Sequence, residues 1–292
     1  MRVRPLEESD LPACVDIYNE AFNDLHRSFG FVEDIGEEDD PWLLEPLQHF
    51  LLTDPHGALI AEDADGEAAF ASSFSRDRFW FLPFLYVRPR AQLRGIGHQL
   101  LRQLLPTGDG TTLATMVESF QATATGLYAA EGIIPCAQKY WLIAKTESVR
   151  FSPNAGLTRT PMSEDDLERL GSLDQRILGF ARPDDHRWWL QSMNGYTYRS
   201  GTDLVGYAYV DDGWISPALA VDEPTLVALF MDVAQVVHKD EVETAIFGTS
   251  RELFKTLMHS GFRIGPSKYS SVYASTGGAL PSSYVLHADW LP

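Results

Sequence analysis

The chain has 292 residues, roughly twice the length of a typical ~150-residue domain, so two domains are expected, each able to bury a substantial core. Hydrophobic residues make up 45% of it, aromatics 12% and charged residues 22%, a globular composition that excludes a disordered or fibrous chain. With 23 basic against 41 acidic residues the net charge is −18, which argues against nucleic acid and anionic membranes as partners.

The N-terminus, MRVRPLEESD, turns charged at once and has no apolar signal region, and no later apolar run is long enough to span a bilayer. A cytoplasmic protein is expected. Residues 1–7 suit a strand, 10–28 and 42–53 helices, by apolar spacing at three and four. GALIAEDADGEAAFASSF is two apolar runs about an Asp65-Gly66 turn, a hairpin signal, and FWFLPFLYV continues as a third buried strand in which Pro83 marks a bulge or splay. GHQLLRQLL then has helical spacing, TTLATMV suits a strand, ATATGLYAAEG a helix ending at Gly132, and AQKYWLIAK a last strand. Only Cys14 and Cys136 occur, too few for a metal cage or a disulfide framework, so no metal is expected.

The second half repeats this order. Pro5-Leu6-Glu7-Glu8-Ser9-Asp10-Leu11 matches Pro161-Met162-Ser163-Glu164-Asp165-Asp166-Leu167, both with the look of helix entries in which Ser9 or Ser163 and nearby Asp accept from the first N–H groups. Trp80, Pro83, Leu85 and Val87 match Trp214, Pro217, Leu219 and Val221, and Gly132 with Lys139-Tyr140 matches Gly261 with Lys268-Tyr269. In the second copy DLVGYAYV, GWISPALAV and ETAIFGT suit strands, with helices over 224–238 and RELFKTLMHSG. Three matches in the same order argue for a duplicated domain, 1–148 and 155–292, joined through SVRFSPNAGL. The fold class is α/β (α+β), each half a mixed, mostly antiparallel sheet flanked by helices.

After the strand ending at Val87 comes Gln92-Leu93-Arg94-Gly95-Ile96-Gly97, a Q-x-x-G-x-G run opening into a helix. N–H groups at a helix start lack intrahelical acceptors and lie at the positive end of the dipole, so they can hold a pyrophosphate that the glycines admit closely. The same run also suits a plain strand-to-helix turn. A Walker loop would need Gly-Lys-Ser/Thr, and a dinucleotide fold a longer glycine motif after the first strand; neither is present.

The first half, roughly residues 1–145, resembles the GNAT superfamily of acyl-CoA N-acyltransferases. The resemblance rests on LYVRPRAQLRGIG and on Ala124-x-x-Leu127-Tyr128-x-x-x-Gly132. It implies acetyl-CoA as cosubstrate, its pyrophosphate on the amides of Arg94, Gly95, Ile96, Gly97 and His98 in the loop that Gln92 opens, and its pantetheine arm against backbone at Leu85 and Val87. It also implies Tyr128 as proton donor to the departing thiolate; taken alone, Tyr128 better suits a packed aromatic whose hydroxyl reaches solvent, and its place in the motif reverses that reading. The family's usual Glu on the central strand is missing from FWFLPFLYV, so the candidate base is Glu118 at the end of the next strand, which by itself also suits a solvated carboxylate, with His26 and Glu20 as alternatives. Gln121 and Ile133 stand where the family usually has Asn and Phe.

The expected activity is transfer of an acetyl group from acetyl-CoA to an amine of a small molecule or peptide, by direct attack in a ternary complex. The acidic surface favours a cationic amine. A non-catalytic acyl-CoA sensor or interaction module is the rival, favoured by the missing strand Glu. In the second half, Val221-Asp222-Glu223-Pro224-Thr225 runs straight into an apolar helix without a glycine pair, so a degenerate copy binding no CoA is expected. The segment from Leu173 to Trp189, dense in aromatic and charged residues, suits either a helix pair with tryptophans as core or a cover over the acceptor pocket.

Overall fold

The computed structural model describes residues 1–31, 35–36, 40–150, 156–265 and 270–291. Lys268 and Tyr269 of the repeat, and residues 151–155 of the expected linker, lie outside the described residues. The chain divides into two compact units, one of Met1–Met116 with Gln121–Ile133, the other of Val117–Phe120 with Ile134–Pro292. Among the described residues, no helix is long and apolar enough to cross a membrane.

The first unit opens with strand β1 (Arg2–Pro5) and helix α1 (Leu11–Ser28). Between them the Glu7 N–H donates to Asp10 Oδ2 at 2.8 Å and the Asp10 N–H to the Glu7 carbonyl at 2.9 Å. A 3-10 turn over Glu8–Asp10 moves the entry forward, so Glu7, and not Ser9, has the extended backbone of a cap. Helix α2 (Asp40–Thr53) follows, then strands β2 (Ala58–Asp63), β3 (Gly66–Arg76) and β4 (Phe79–Val87), each antiparallel to its predecessor in the sheet, where β2 also pairs with β1. Gly66 has φ +101°, the left-handed backbone that makes glycine the fit residue after Asp65 in the tight β2–β3 turn. One sheet face is aromatic: Tyr18 of α1 meets Tyr86 edge-on at 4.8 Å, and Phe50 of α2 stacks on Phe74 at 5.0 Å. Helix α3 (Ile96–Leu104), strand β5 (Thr112–Glu118) and helix α4 (Ala122–Ala130) complete the order.

Pro83 sits where expected. The β3–β4 register skips between Ser72 and Phe74, setting Ser73 against Leu82 and Pro83, a bulge that accepts a residue without an N–H.

The second unit has the sheet order β13 (Ser271–Ser275), β6 (Ile134–Lys145), β11 (Glu241–Phe247), β10 (Trp214–Ala220), β9 (Asp203–Asp211), β8 (Asn194–Ser200) and β7 (Thr158–Pro161). The short strand β14 (Tyr284–Val285) pairs with β10, and β12 (Arg263–Ile264) with β6. Read from the sequence as the last strand of the first half, β6 pairs antiparallel with β11 from Lys139↔Phe247 to Lys145↔Glu241. Helices α7 (Glu223–Val233) and α8 (Arg251–His259) bury Leu226, Leu229, Phe230, Leu253 and Leu257 in the core, while α5 (Leu167–Ile177) and α6 (Pro183–Ser192) carry the aromatic and charged segment.

Local devices of the first unit recur here. The Ser163 N–H donates to Asp166 Oδ2 at 3.1 Å ahead of α5, β10 has a register skip between Ile215 and Ala218 that includes Pro217, and Gly261 after α8 has positive φ like Gly132 after α4.

Candidate functional site

The candidate site of the first unit follows from its strand pairing. Strands β4 and β5 run parallel and paired from Phe79↔Thr112 to Leu82↔Thr115, where the register ends. Thr115 closes the last rung by donating its hydroxyl to the Leu82 carbonyl at 2.7 Å. Beyond it β4 continues to Val87 with β3 as its one strand partner among the described residues. The Arg88 N–H donates to the Ala68 carbonyl at 2.9 Å, and antiparallel alternation then puts the bonds to β3 at Tyr86 and Phe84. Leu85 and Val87 therefore turn their N–H and C=O groups toward the opening. Of these, the Val87 carbonyl accepts from the Gln92 side-chain amide at 3.0 Å, which ties the loop back to the strand.

The loop leads the chain into α3 through left-handed backbone at Leu93 (φ +60°) and Gly95 (φ +82°). Gln92 to Gly95 are exposed, and the first bond of the helix is Gln99 N–H to the Gly95 carbonyl at 3.0 Å, so the N–H groups of Ile96, Gly97 and His98 have no intrahelical acceptor. A Cβ at Gly95 would meet nothing within 4 Å, whereas one at Gly97 would lie 3.2 Å from Leu85 Cδ2 and 3.7 Å from Leu127 Cδ2. The start of α3 thus lies close against the end of β4 at Gly97, where a larger residue would press on the Leu85 side chain, and the electropositive helix end adjoins the strand edge. His98 is half exposed, 3.6 Å from Glu131, which also accepts from Arg102 at 3.0 Å. The Arg94 side chain is exposed.

Tyr128 on α4 is buried, 5% exposed, and burial pushes its hydroxyl well above the ordinary tyrosine range while a bond to the Thr115 side chain pulls it down. The phenol thus stays protonated and reaches the residue at which β4 and β5 part. Thr115 carries no sequence motif; its placement emerges only from the strand register.

Glu118 is half-buried rather than fully solvated. Its Oε2 is buried without a hydrogen-bond partner, and burial first, then the Asp289 carboxylate, push the carboxyl up to about 8, with Lys139 pulling the other way. Lys139 donates to both Asp289 oxygens at 2.6 Å, and Ser271 Oγ donates to Asp289 Oδ2 at 2.9 Å. Nothing in the local sequence of Asp289 signals a partner 150 residues away. The other base candidates are engaged elsewhere: Glu20 accepts from the Arg88 guanidinium, and His26 is buried with its ring stacked on Phe22 at 3.9 Å. Gln121 caps α4 by accepting from the Thr123 N–H at 3.3 Å, and Ile133 is fully buried.

In the second unit the corresponding edge carries a different partner. Strand β10 pairs parallel with β11 only at Trp214↔Glu243, and further along β14 pairs antiparallel with it at Ala218↔Val285 and Leu219↔Tyr284. The Ala220 N–H donates to the Ser283 carbonyl at 3.0 Å. Asp222 caps α7 by accepting from the Thr225 N–H at 2.8 Å, which places a carboxylate at that helix start.

The charged and aromatic segment forms a buried network of the second unit. Arg182 donates from Nε to Asp174 at 2.9 Å, from Nη1 to the Tyr284 hydroxyl at 2.8 Å and from Nη2 to the Tyr207 hydroxyl at 2.7 Å. Tyr207 donates to Asp174 at 2.8 Å, and His186 lies 2.8 Å from Asp174 and 2.7 Å from the Tyr209 hydroxyl. Trp189 is core, packed against Tyr209 and under the Arg182 guanidinium.

Residues 12–132 match the model of the acetyltransferase (GNAT) family. No curated protein matches the chain. Among solved structures it is similar to a protein of Pyrococcus horikoshii described as a candidate acetyltransferase, with a TM-score of 0.72 and 16% identity over 100% of this chain and 95% of that one. It is also similar to a GCN5-related N-acetyltransferase from Sphaerobacter thermophilus, with a TM-score of 0.59 and 16% identity over 97% and 98% of the two chains. A tandem GNAT protein of the clavulanic acid biosynthesis pathway gives 0.55 and 14% over 94% and 97%. At these identities the likeness is one of fold.

Proposed function

We infer, from the GNAT-family domain that residues 12–132 carry, that this chain is an acyl-CoA-dependent N-acetyltransferase acting on the amine of a small molecule or peptide. The observation that carries the reading is the parting of β4 from β5 at Leu82 and Thr115, beside a helix start whose N–H groups have no intrahelical acceptor. Acetyl-CoA supplies an acyl group activated as a thioester. The amides of Arg94 to His98 fit its pyrophosphate, and the outward backbone groups of Leu85 with the N–H of Val87 fit the amides of a pantetheine arm, as a strand edge accepts a peptide. An N–H of β4 at the opening would also polarise the thioester carbonyl.

Glu118 takes a proton from the acceptor's ammonium, leaving the amine to attack the carbonyl carbon. As the C–S bond breaks, the Tyr128 hydroxyl gives its proton to the sulfur, and the phenolate regains one from the new amide nitrogen through water. Burial serves both groups: Tyr128 stays protonated until the thiolate forms, and Glu118 is a stronger base than an exposed carboxylate. A carboxyl titrating at about 8 makes the rate rise with pH and level off above that value.

The non-catalytic acyl-CoA sensor is the second reading, favoured by the absence of a carboxylate from β4. Thiol release on mixing the protein, acetyl-CoA and a panel of cationic amines separates the two: at least one amine accelerates release if the chain is a transferase, and none does if it only binds.

A further inference from the structure

We propose that Asp289 and Lys139 form a positioning pair for Glu118: the carboxylate holds the ammonium away from the base, so that Glu118 remains able to take the acceptor's proton. The proposal rests on the reading of Glu118 as general base.

Strand alternation brings the groups to one face. The Ser119 N–H donates to the Ser270 carbonyl at 2.9 Å, and the Ser119 and Ser270 hydroxyls lie 3.2 Å apart. Gln138 shares their face, donating to Ser270 Oγ at 2.7 Å. Glu118, Ser271 and Lys139, each one residue along its strand, therefore project to the opposite face, and the Val272↔Gln138 register sets Ser271 beside Lys139. Asp289 is clamped on that face by both of them.

The C-terminal segment delivers Asp289 and is itself held. Strand β14 pairs with β10, Ser216 Oγ donates to the His287 carbonyl at 3.1 Å, and Trp290 packs against Trp188 and His287. Among the described residues, the charged groups acting on Glu118 are Lys139 from β6 and Asp289 from this segment; β13 contributes the neutral Ser271. Glu118 Oε2 has no donor of its own. A lysine with no carboxylate partner on that face would turn to Glu118 and hold it ionised as a salt bridge, a weak base. Bonded through both Asp289 oxygens, Lys139 is kept from doing so. Glu118 then retains the high proton affinity that burial imposes.

The test is an infrared pH titration of the full chain, following the carboxylic-acid C=O band that Glu118→Gln removes. Asp289→Asn is expected to lower the midpoint by about one pH unit or more, as Lys139 turns to Glu118, and Lys139→Met to raise it by a similar amount. The double variant, with both charges gone, returns toward the wild-type midpoint. Ser271→Ala, which loosens Asp289 without changing charge, gives a smaller downward shift and serves if Asp289→Asn does not fold. Midpoints that stay put in Asp289→Asn, Ser271→Ala and Lys139→Met overturn the pair. Shifted midpoints together with wild-type amine-dependent thiol release in Glu118→Gln would instead remove the base role and leave the electrostatic coupling.

Discussion

The Thr115 hydroxyl donates to the Leu82 carbonyl at 2.7 Å on the last rung that β4 and β5 share, and Tyr128 bonds to the same threonine side chain. One buried threonine thus links that last rung to the proposed acid. Tyr128→Phe should keep acetyl-CoA affinity and lower kcat by about 100-fold or more, since a proton donor to the leaving thiolate acts in the transition state. Steady-state kinetics beside calorimetry checks this, and an unchanged kcat removes the phenol from the chemistry. Thr115→Val, which keeps the shape and loses the hydroxyl, should lower kcat less.

Gly95 tests the backbone of the loop. A methyl group there meets nothing within 4 Å, so the cost of Gly95→Ala is that of holding a non-glycine residue at φ +82°, about 1–2 kcal/mol. Part of that cost will appear as weaker acetyl-CoA binding if the loop relaxes. Chemical denaturation and calorimetry on the same variant measure both parts, and no change in either contradicts the assigned conformation.

Glu118 should make stability depend on pH in a definite direction. Its folded-state carboxyl titrates at about 8 against an ordinary 4.5, so between those values the folded chain keeps a proton that the unfolded chain releases. Stability contributed at this site therefore falls as pH rises through the window. Glu118→Gln, a neutral mimic of the protonated form, should gain Tm over wild type progressively from about pH 5 to 8 and hold that margin above it. A margin independent of pH would show that Glu118 is ordinary.

The Asp174–Arg182–His186 network should behave as a buried ionic core. Burial acts to raise the Asp174 carboxyl, but Arg182 and His186 outweigh it and hold the group below the usual carboxylate range. Its contribution is thus present above the unfolded-state value and lost as pH falls through the folded one. Asp174→Ala leaves a fully buried guanidinium without its counter-charge and should cost about 3–5 kcal/mol in urea unfolding. A loss under 1 kcal/mol would mean that water reaches Arg182.

Local chemistry made much of the first unit legible. The Asp65-Gly66 turn, the Pro83 bulge, the glycine loop opening α3 and the helix ending before Gly132 all rest on residues within a few positions of one another, and the structure places them accordingly. The cap moved from Ser9 to Glu7 because a one-turn 3-10 helix has no periodicity to detect. What stayed hidden was pairing at long range. Alternating apolar residues mark 137–145 as a strand, yet only the fold joins it to β11, and two residues of β14 are too few to announce a strand at all. Asp289 and Tyr284 find Lys139 and Arg182 more than 100 residues away, so the setting of Glu118 and the bonding of Arg182 could not be read from spacing. Within the Leu173–Trp189 segment the buried network gives Trp189 the core role.

Titration calorimetry of the intact chain measures most directly where acetyl-CoA binds. The first unit has a β4 edge turned to an opening and a helix start with N–H groups to spare, while the equivalent edge of β10 is paired with β14 and its helix start is capped by Asp222. One acetyl-CoA per chain is expected, with binding abolished by Gly97→Glu, whose side chain would crowd Leu85 and set a carboxylate where the pyrophosphate must lie. Two equivalent sites, or unchanged affinity in Gly97→Glu, would contradict it.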